Sequence, residues 1–146
     1  MDGAPALARW LGTGSAARAA PTFDDLERLP YARMVAEESM RLYPPAYVFS
    51  RRADYWTEPD AFTPERFAPG ASGKDAADRP KHAYLPFGGG PRICIGNSFA
   101  MMEHAIVLAA ATRHWRLESI PGHIVRTEPR ITLRPRGGLP MRVMRR

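Results

Sequence analysis

The residue pattern predicts a mainly α fold with small β-hairpins. Two stretches with helical spacing carry the α part, one from about Pro30 to Leu42 and one from Asn97 to about Arg113. Two short alternating runs near the C-terminus, Ile131-Thr132-Leu133 and Met141-Arg142-Val143, supply the β part. A chain of 146 residues, 45% hydrophobic and 25% charged, suits one modest globular domain able to bury a core.

Composition excludes several classes. A single cysteine rules out an internal disulfide framework and is compatible with a reducing cytosol, so a cytoplasmic location is expected. The longest apolar run, Ala105 to Ala111, is far too short to span a membrane. The formal charge of +6 is uneven: residues 87–146 hold ten Arg and three Glu, whereas residues 1–86 hold eleven Lys or Arg against twelve acids. No aromatic interleaving or known nucleic-acid motif accompanies these arginines. They are read as a solvated face rather than a nucleic-acid site, with basic nucleic-acid binding kept as an alternative.

Along the chain, residues 1–21 are an Ala-, Gly- and Arg-rich leader with no defined element. Thr22, Asp24 and Asp25 offer capping chemistry for a short turn. Pro30 suits the first position of the first helix, and Pro44-Pro45 stops it. Tyr31, Met34, Val35, Glu38 and Leu42 share one face. Glu38 therefore points at a core and needs a partner, which Arg41 supplies at i+3. Tyr47-Val48-Phe49-Ser50 is a strand candidate. Pro59, Pro64 and Pro69 punctuate a loop-rich run in which Phe62 and Phe67 are expected core anchors. Residues 68–83 are polar and read as surface loop. In the second helix Phe99, Met102, Ile106 and Ala109 or Ala110 repeat at helical spacing.

The chemistry concentrates in Phe87-Gly88-Gly89-Gly90-Pro91-Arg92-Ile93-Cys94-Ile95-Gly96, just ahead of that helix. The glycines permit positive φ and close approach to the main chain, and Pro91 stiffens the exit. A helix N-terminus beyond Cys94 favours an anion there, here a thiolate. The four histidines form no nucleophile signature with Cys94, and one Cys with scattered His does not make a zinc site. A phosphate loop lacks its Lys-Ser/Thr, and Ile93 stands where a dinucleotide fingerprint needs glycine. A thiolate ligand to haem iron fits best, with Arg92 placed to pair a propionate. A buried free cysteine in a glycine turn is the structural alternative.

Phe87-x-x-Gly90-x-Arg92-x-Cys94-x-Gly96 resembles the haem-binding loop of the cytochrome P-450 family of haem-thiolate monooxygenases, at all five signature positions. Glu38-Ser39-Met40-Arg41 resembles that family's Glu-x-x-Arg helix, and Pro64-Glu65-Arg66-Phe67 its meander element. The resemblance implies a structural network of Glu38, Arg41 and Arg66, with haem (iron protoporphyrin IX) held by Cys94. Phe87 then packs near the sulfur, and Arg92 and Arg51 reach propionates. Arg52 is not separable from Arg51 by sequence, and an exposed pair is the alternative. The terminal runs resemble the family's small hairpins.

The resemblance covers residues 22–146, as the C-terminal haem-binding portion of the fold. The long helix that carries the family's oxygen-activating acid–alcohol pair has no counterpart, so no catalytic residue is identified. A few dozen residues of sheet are also missing where Ala53 joins Asp54. The family implies insertion of one oxygen atom from O2 into a small organic substrate, and an acidic redox partner, ferredoxin or flavin reductase, on the basic proximal face. A catalytically incompetent remnant, with or without haem, is the alternative.

Overall fold

The computed structural model describes residues 23–44, 50–71, 79–130 and 132–146. A 3-10 turn at Phe23–Arg28 leads into helix α1, Pro30–Leu42. Pro30 occupies the first turn, where its missing N–H costs nothing. At the far end the Tyr43 N–H returns to the Ser39 carbonyl, before Pro44 stops the helix.

Helix α1 is buried on more than one side. Ala32, Met34, Ala36, Glu38, Met40, Arg41 and Leu42 are all buried. On one side lies a 3-10 turn at Pro64–Phe67, and on another helix α2, Asn97–His114. Small residues at Ala105 and Ala109, one turn apart and buried, let α1 and α2 approach closely.

Four short strands close the chain. β1 (Trp115–Ser119) pairs antiparallel with β4 (Met141–Arg145), Leu117 opposite Val143. β2 (Thr127–Pro129) pairs with β3 (Leu133–Pro135), Glu128 opposite Arg134. The described elements are thus mainly helical, with two small antiparallel sheets.

Several expectations are corrected. The two terminal runs enter different sheets: residues 141–143 belong to the strand that pairs with Trp115–Ser119, directly after α2, and Leu133 opens β3, which extends through Pro135. The run after His114 was hidden because only five residues alternate. Phe62 is 53% exposed and no core anchor, whereas Phe67 is half-buried against other rings. Phe99 is 64% exposed, because α1 covers the Ala105–Ala109 side of α2. A helix apolar on every side needs cover on every side. Residues 68–83 are not all surface loop: Ala83 is fully buried and Arg79 lies on aromatic rings. Residues 1–22, Tyr47–Phe49 and Ile131 lie outside the described residues.

Candidate functional site

The loop around Cys94 is closed by backbone bonds at its base. The Cys94 N–H donates to the Phe87 carbonyl at 3.0 Å, and the Gly88 N–H to the Leu85 carbonyl at 3.1 Å. A short 3-10 turn, Gly90–Arg92, carries the chain across, with the Ile93 N–H on the Gly90 carbonyl at 3.2 Å. Gly88 and Gly90 take φ of 76° and 67°, which a side chain resists. Apart from their chain neighbours, no atom lies within 4 Å of where their Cβ would sit, so this flank is open.

Cys94 is a free, exposed thiol. Its carbonyl accepts from the Asn97 N–H at 3.3 Å, and its sulfur lies 3.8 Å from where a Cβ on Gly96 would project. The sulfur therefore stands at the threshold of α2. Ile93, Ile95 and Phe99 around it are exposed, an apolar surface. Arg92 is exposed and has no hydrogen bond or ion pair among the described residues. The expectation of a buried structural cysteine is excluded.

Behind the loop, Phe87 is half-buried and lines a cavity of about 500 Å³ with Leu26, Glu37, Met40, Met101 and Ala105. Burial raises the Glu37 pKa, while Arg33, 3.4 Å away, and Arg79 pull it back.

The structure brings Glu38, Arg41 and Arg66 together. Arg41 donates Nε to Glu38 Oε2 at 2.7 Å and Nη2 to Oε1 at 2.8 Å. Arg66 Nε adds a bond to Oε1 at 3.2 Å, and the Thr63 N–H another at 2.8 Å. The remaining Arg41 protons reach the carbonyls of Ser50, Pro59 and Ala61, at 3.2, 2.6 and 2.9 Å. Every N–H of the guanidinium is used, which is what a buried charge requires. These acceptors flank Ala53-Asp54 on both sides, so Arg41 ties the two flanks of that junction together. The junction is a tight turn in which the Tyr55 and Trp56 N–H groups share the Arg52 carbonyl, at 3.0 and 3.1 Å.

The contacts of Arg51 lie outside the Cys94 loop. Its guanidinium donates to the Leu42 carbonyl at the end of α1, lies 3.5 Å from Asp60 and covers the Tyr43 ring. Arg52 pairs with Asp54. Three residues were missed by sequence reasoning: Trp56, Tyr84 and Arg79. Trp56 is 1% exposed and its indole N–H has no acceptor among the described residues. Its faces carry the structure: Arg79, Arg41 and Arg66 lie 4.6, 5.0 and 5.8 Å from the ring centre. Tyr84 donates to the Glu37 carbonyl at 3.0 Å, and burial pushes its phenol pKa up. None stands in a periodic stripe, so pattern offered no signal for them.

Among the described residues there is no group of three His, Cys, Asp or Glu that could hold a metal ion. A lone exposed cysteine can still supply one bond to a metal whose other ligands come from a macrocycle.

The cytochrome P-450 family profile matches residues 45–139. The chain belongs to the cytochrome P-450 family. It is 34% identical over 147 residues to cytochrome P-450 132 of Mycobacterium tuberculosis, covering 82% of this chain and 31% of that one. It is 34% identical over 142 residues to cyclooctatin synthase of Streptomyces melanosporofaciens, covering 78% and 30%. A crystal structure of a cytochrome P-450 (CYP102L1) superposes with a TM-score of 0.79 at 26% identity, over 99% of this chain and 39% of that chain. The chain thus spans about a third of the length of the curated relatives it matches. The mycobacterial match runs over 147 positions, but 82% of 146 residues is only about 120, so about 27 positions have no counterpart here.

Cytochrome P-450 proteins are haem monooxygenases that bind iron protoporphyrin IX, draw electrons from redox partners and act on organic substrates. No helix among the described residues is long and apolar enough to cross a membrane.

Proposed function

We propose that this chain is the haem-holding, C-terminal portion of a haem-thiolate monooxygenase. One observation carries the reading: the sole cysteine is exposed on a loop whose glycine flank is open, at the start of α2. The residues fit the group. Cys94 would give the iron a sulfur ligand, Gly88 and Gly90 would leave room for a flat ring, and Ile93, Ile95 and Phe99 would give it apolar contact. Arg92, exposed and without an ion pair, would neutralise a propionate. Arg51 would join it only by leaving the Leu42 carbonyl. Phe87 and Gly96 set the base of the loop and its approach to α2.

Bound haem supplies the iron chemistry that inserts one oxygen atom of O2 into an organic substrate. The chain's own task is to hold, orient and partly cover it. The excess of arginine from residue 87 onward supports an acidic redox partner on this side, and the single free thiol supports a reducing, cytoplasmic setting.

Haemin titration followed by absorbance tests the assignment. Wild type is expected to bind one haemin, and Cys94→Ser to bind much more weakly; equal affinity would reject Cys94 as ligand. A second reading is binding without turnover. Peroxide-driven oxidation of a general organic substrate by the haemin-loaded chain would exclude it.

A further inference from the structure

Ile93, Cys94 and Ile95 are exposed, so the loop is placed by its two ends. One end is α2. The other is the approach segment from Arg79 to Phe87, which has no regular secondary structure. Something else must hold it.

Trp56, Phe67 and Tyr84 form a box from three separate segments: the turn after Ala53-Asp54, the Pro64–Phe67 turn and the approach segment itself. Their ring centres are 5.9 Å (Trp56–Phe67), 6.1 Å (Trp56–Tyr84) and 5.0 Å (Phe67–Tyr84) apart. The Arg79 guanidinium sits on all three, 4.6 Å from Trp56, 5.2 Å from Phe67 and 5.6 Å from Tyr84. Between Arg79 and Tyr84 the chain makes one turn, with the Ala83 N–H on the Pro80 carbonyl at 2.9 Å and Ala83 fully buried. Tyr84 is then fixed to α1 through its hydroxyl on the Glu37 carbonyl. Three residues on, the Phe87 carbonyl receives the Cys94 N–H.

We propose that Arg79 is a positioning residue for the Cys94 loop: stacked on three rings, it fixes the approach segment and thereby where the Phe87 carbonyl meets the Cys94 amide. A cation over desolvated aromatic faces is attracted by their quadrupoles, and a flat guanidinium can stack where an ammonium cannot. Its consequence for haem rests on the reading above; the placement of the loop does not.

Amide hydrogen exchange on the full haem-free chain reads the placement directly. Arg79→Ala is expected to speed exchange at Gly88 and Cys94 about tenfold, with the amides of α1 unchanged. If that variant does not fold, Arg79→Lys and Arg79→Gln decide: the cation should keep Cys94 slow relative to the neutral side chain. Unchanged exchange at Cys94, equal acceleration in α1, or identical rates for Lys and Gln would overturn the proposal. In haemin-loaded protein, Arg79→Ala should lower the thiolate-type share of the reduced carbonyl spectrum, and Arg79→Lys should restore part of it. A wild type that binds no haemin would sink the haem reading and leave the exchange result to stand alone.

Discussion

Arg41 grips Glu38 through two parallel N–H bonds, at 2.7 and 2.8 Å, with both side chains wholly out of solvent. Taking either partner away strands a charge where water cannot reach it. Glu38→Ala leaves two buried guanidinium groups facing each other and is expected to cost about 3–5 kcal/mol. Arg41→Lys should be nearly as harmful, since an ammonium cannot replace five fixed donors reaching three carbonyls and a carboxylate. Urea denaturation would show this as a lower midpoint. A midpoint within error of wild type for both would mean the pair is not what binds α1 to residues 50–61.

Trp56 is the largest fully buried side chain among the described residues and touches three arginines and two aromatic rings. Trp56→Ala is expected to cost about 3–5 kcal/mol, from lost burial and the cavity left behind. Trp56→Phe keeps a π face and should lose appreciably less. Thermal melts of the two variants would rank them, and reversal of that order would contradict the role given to the ring faces.

Two glycines in the loop should respond differently. Gly90 sits at φ of 67°, so Gly90→Ala carries about 1–2 kcal/mol of backbone strain although its Cβ meets nothing. Gly96 has φ of −85°, and an added Cβ would only touch the Cys94 sulfur at 3.8 Å. Gly96→Ala should therefore leave the melting temperature nearly unchanged. Any effect it has should fall on haemin binding, read by titration.

Glu37 gives a pH signature of definite sign. Burial raises its pKa in the folded chain, so the folded state binds the proton more tightly than the unfolded one. Its contribution is then greatest at low pH and is lost as pH rises from the ordinary glutamate value through the raised one. Glu37→Gln removes that slope. Relative to wild type, the variant should look better at pH 7 than at pH 4 in denaturant titrations, and the opposite trend would contradict the assignment.

Much of this is legible in the sequence alone. Pro30 and Pro44 bounded α1, and the Glu38–Arg41 spacing put a carboxylate and its partner on a buried face. The Gly-rich run announced an exposed cysteine ahead of a helix. What escaped depended on distance along the chain. Arg79 meets Trp56 and Phe67 across residues that no period links, and Met141–Arg145 returns to Trp115–Ser119 over an intervening hairpin. Phe99 and Phe62 misled for another reason: both are apolar residues on surfaces that the described residues leave uncovered. Arg51 could not be placed by sequence because its acceptor is a main-chain carbonyl, which any residue could offer.

The most direct test of the central claim is the absorbance spectrum of the haemin-loaded chain after reduction under carbon monoxide. The account predicts a red-shifted, thiolate-type Soret band in wild type that vanishes in Cys94→Ser. The same spectrum from both proteins would show that the Cys94 sulfur does not hold the iron.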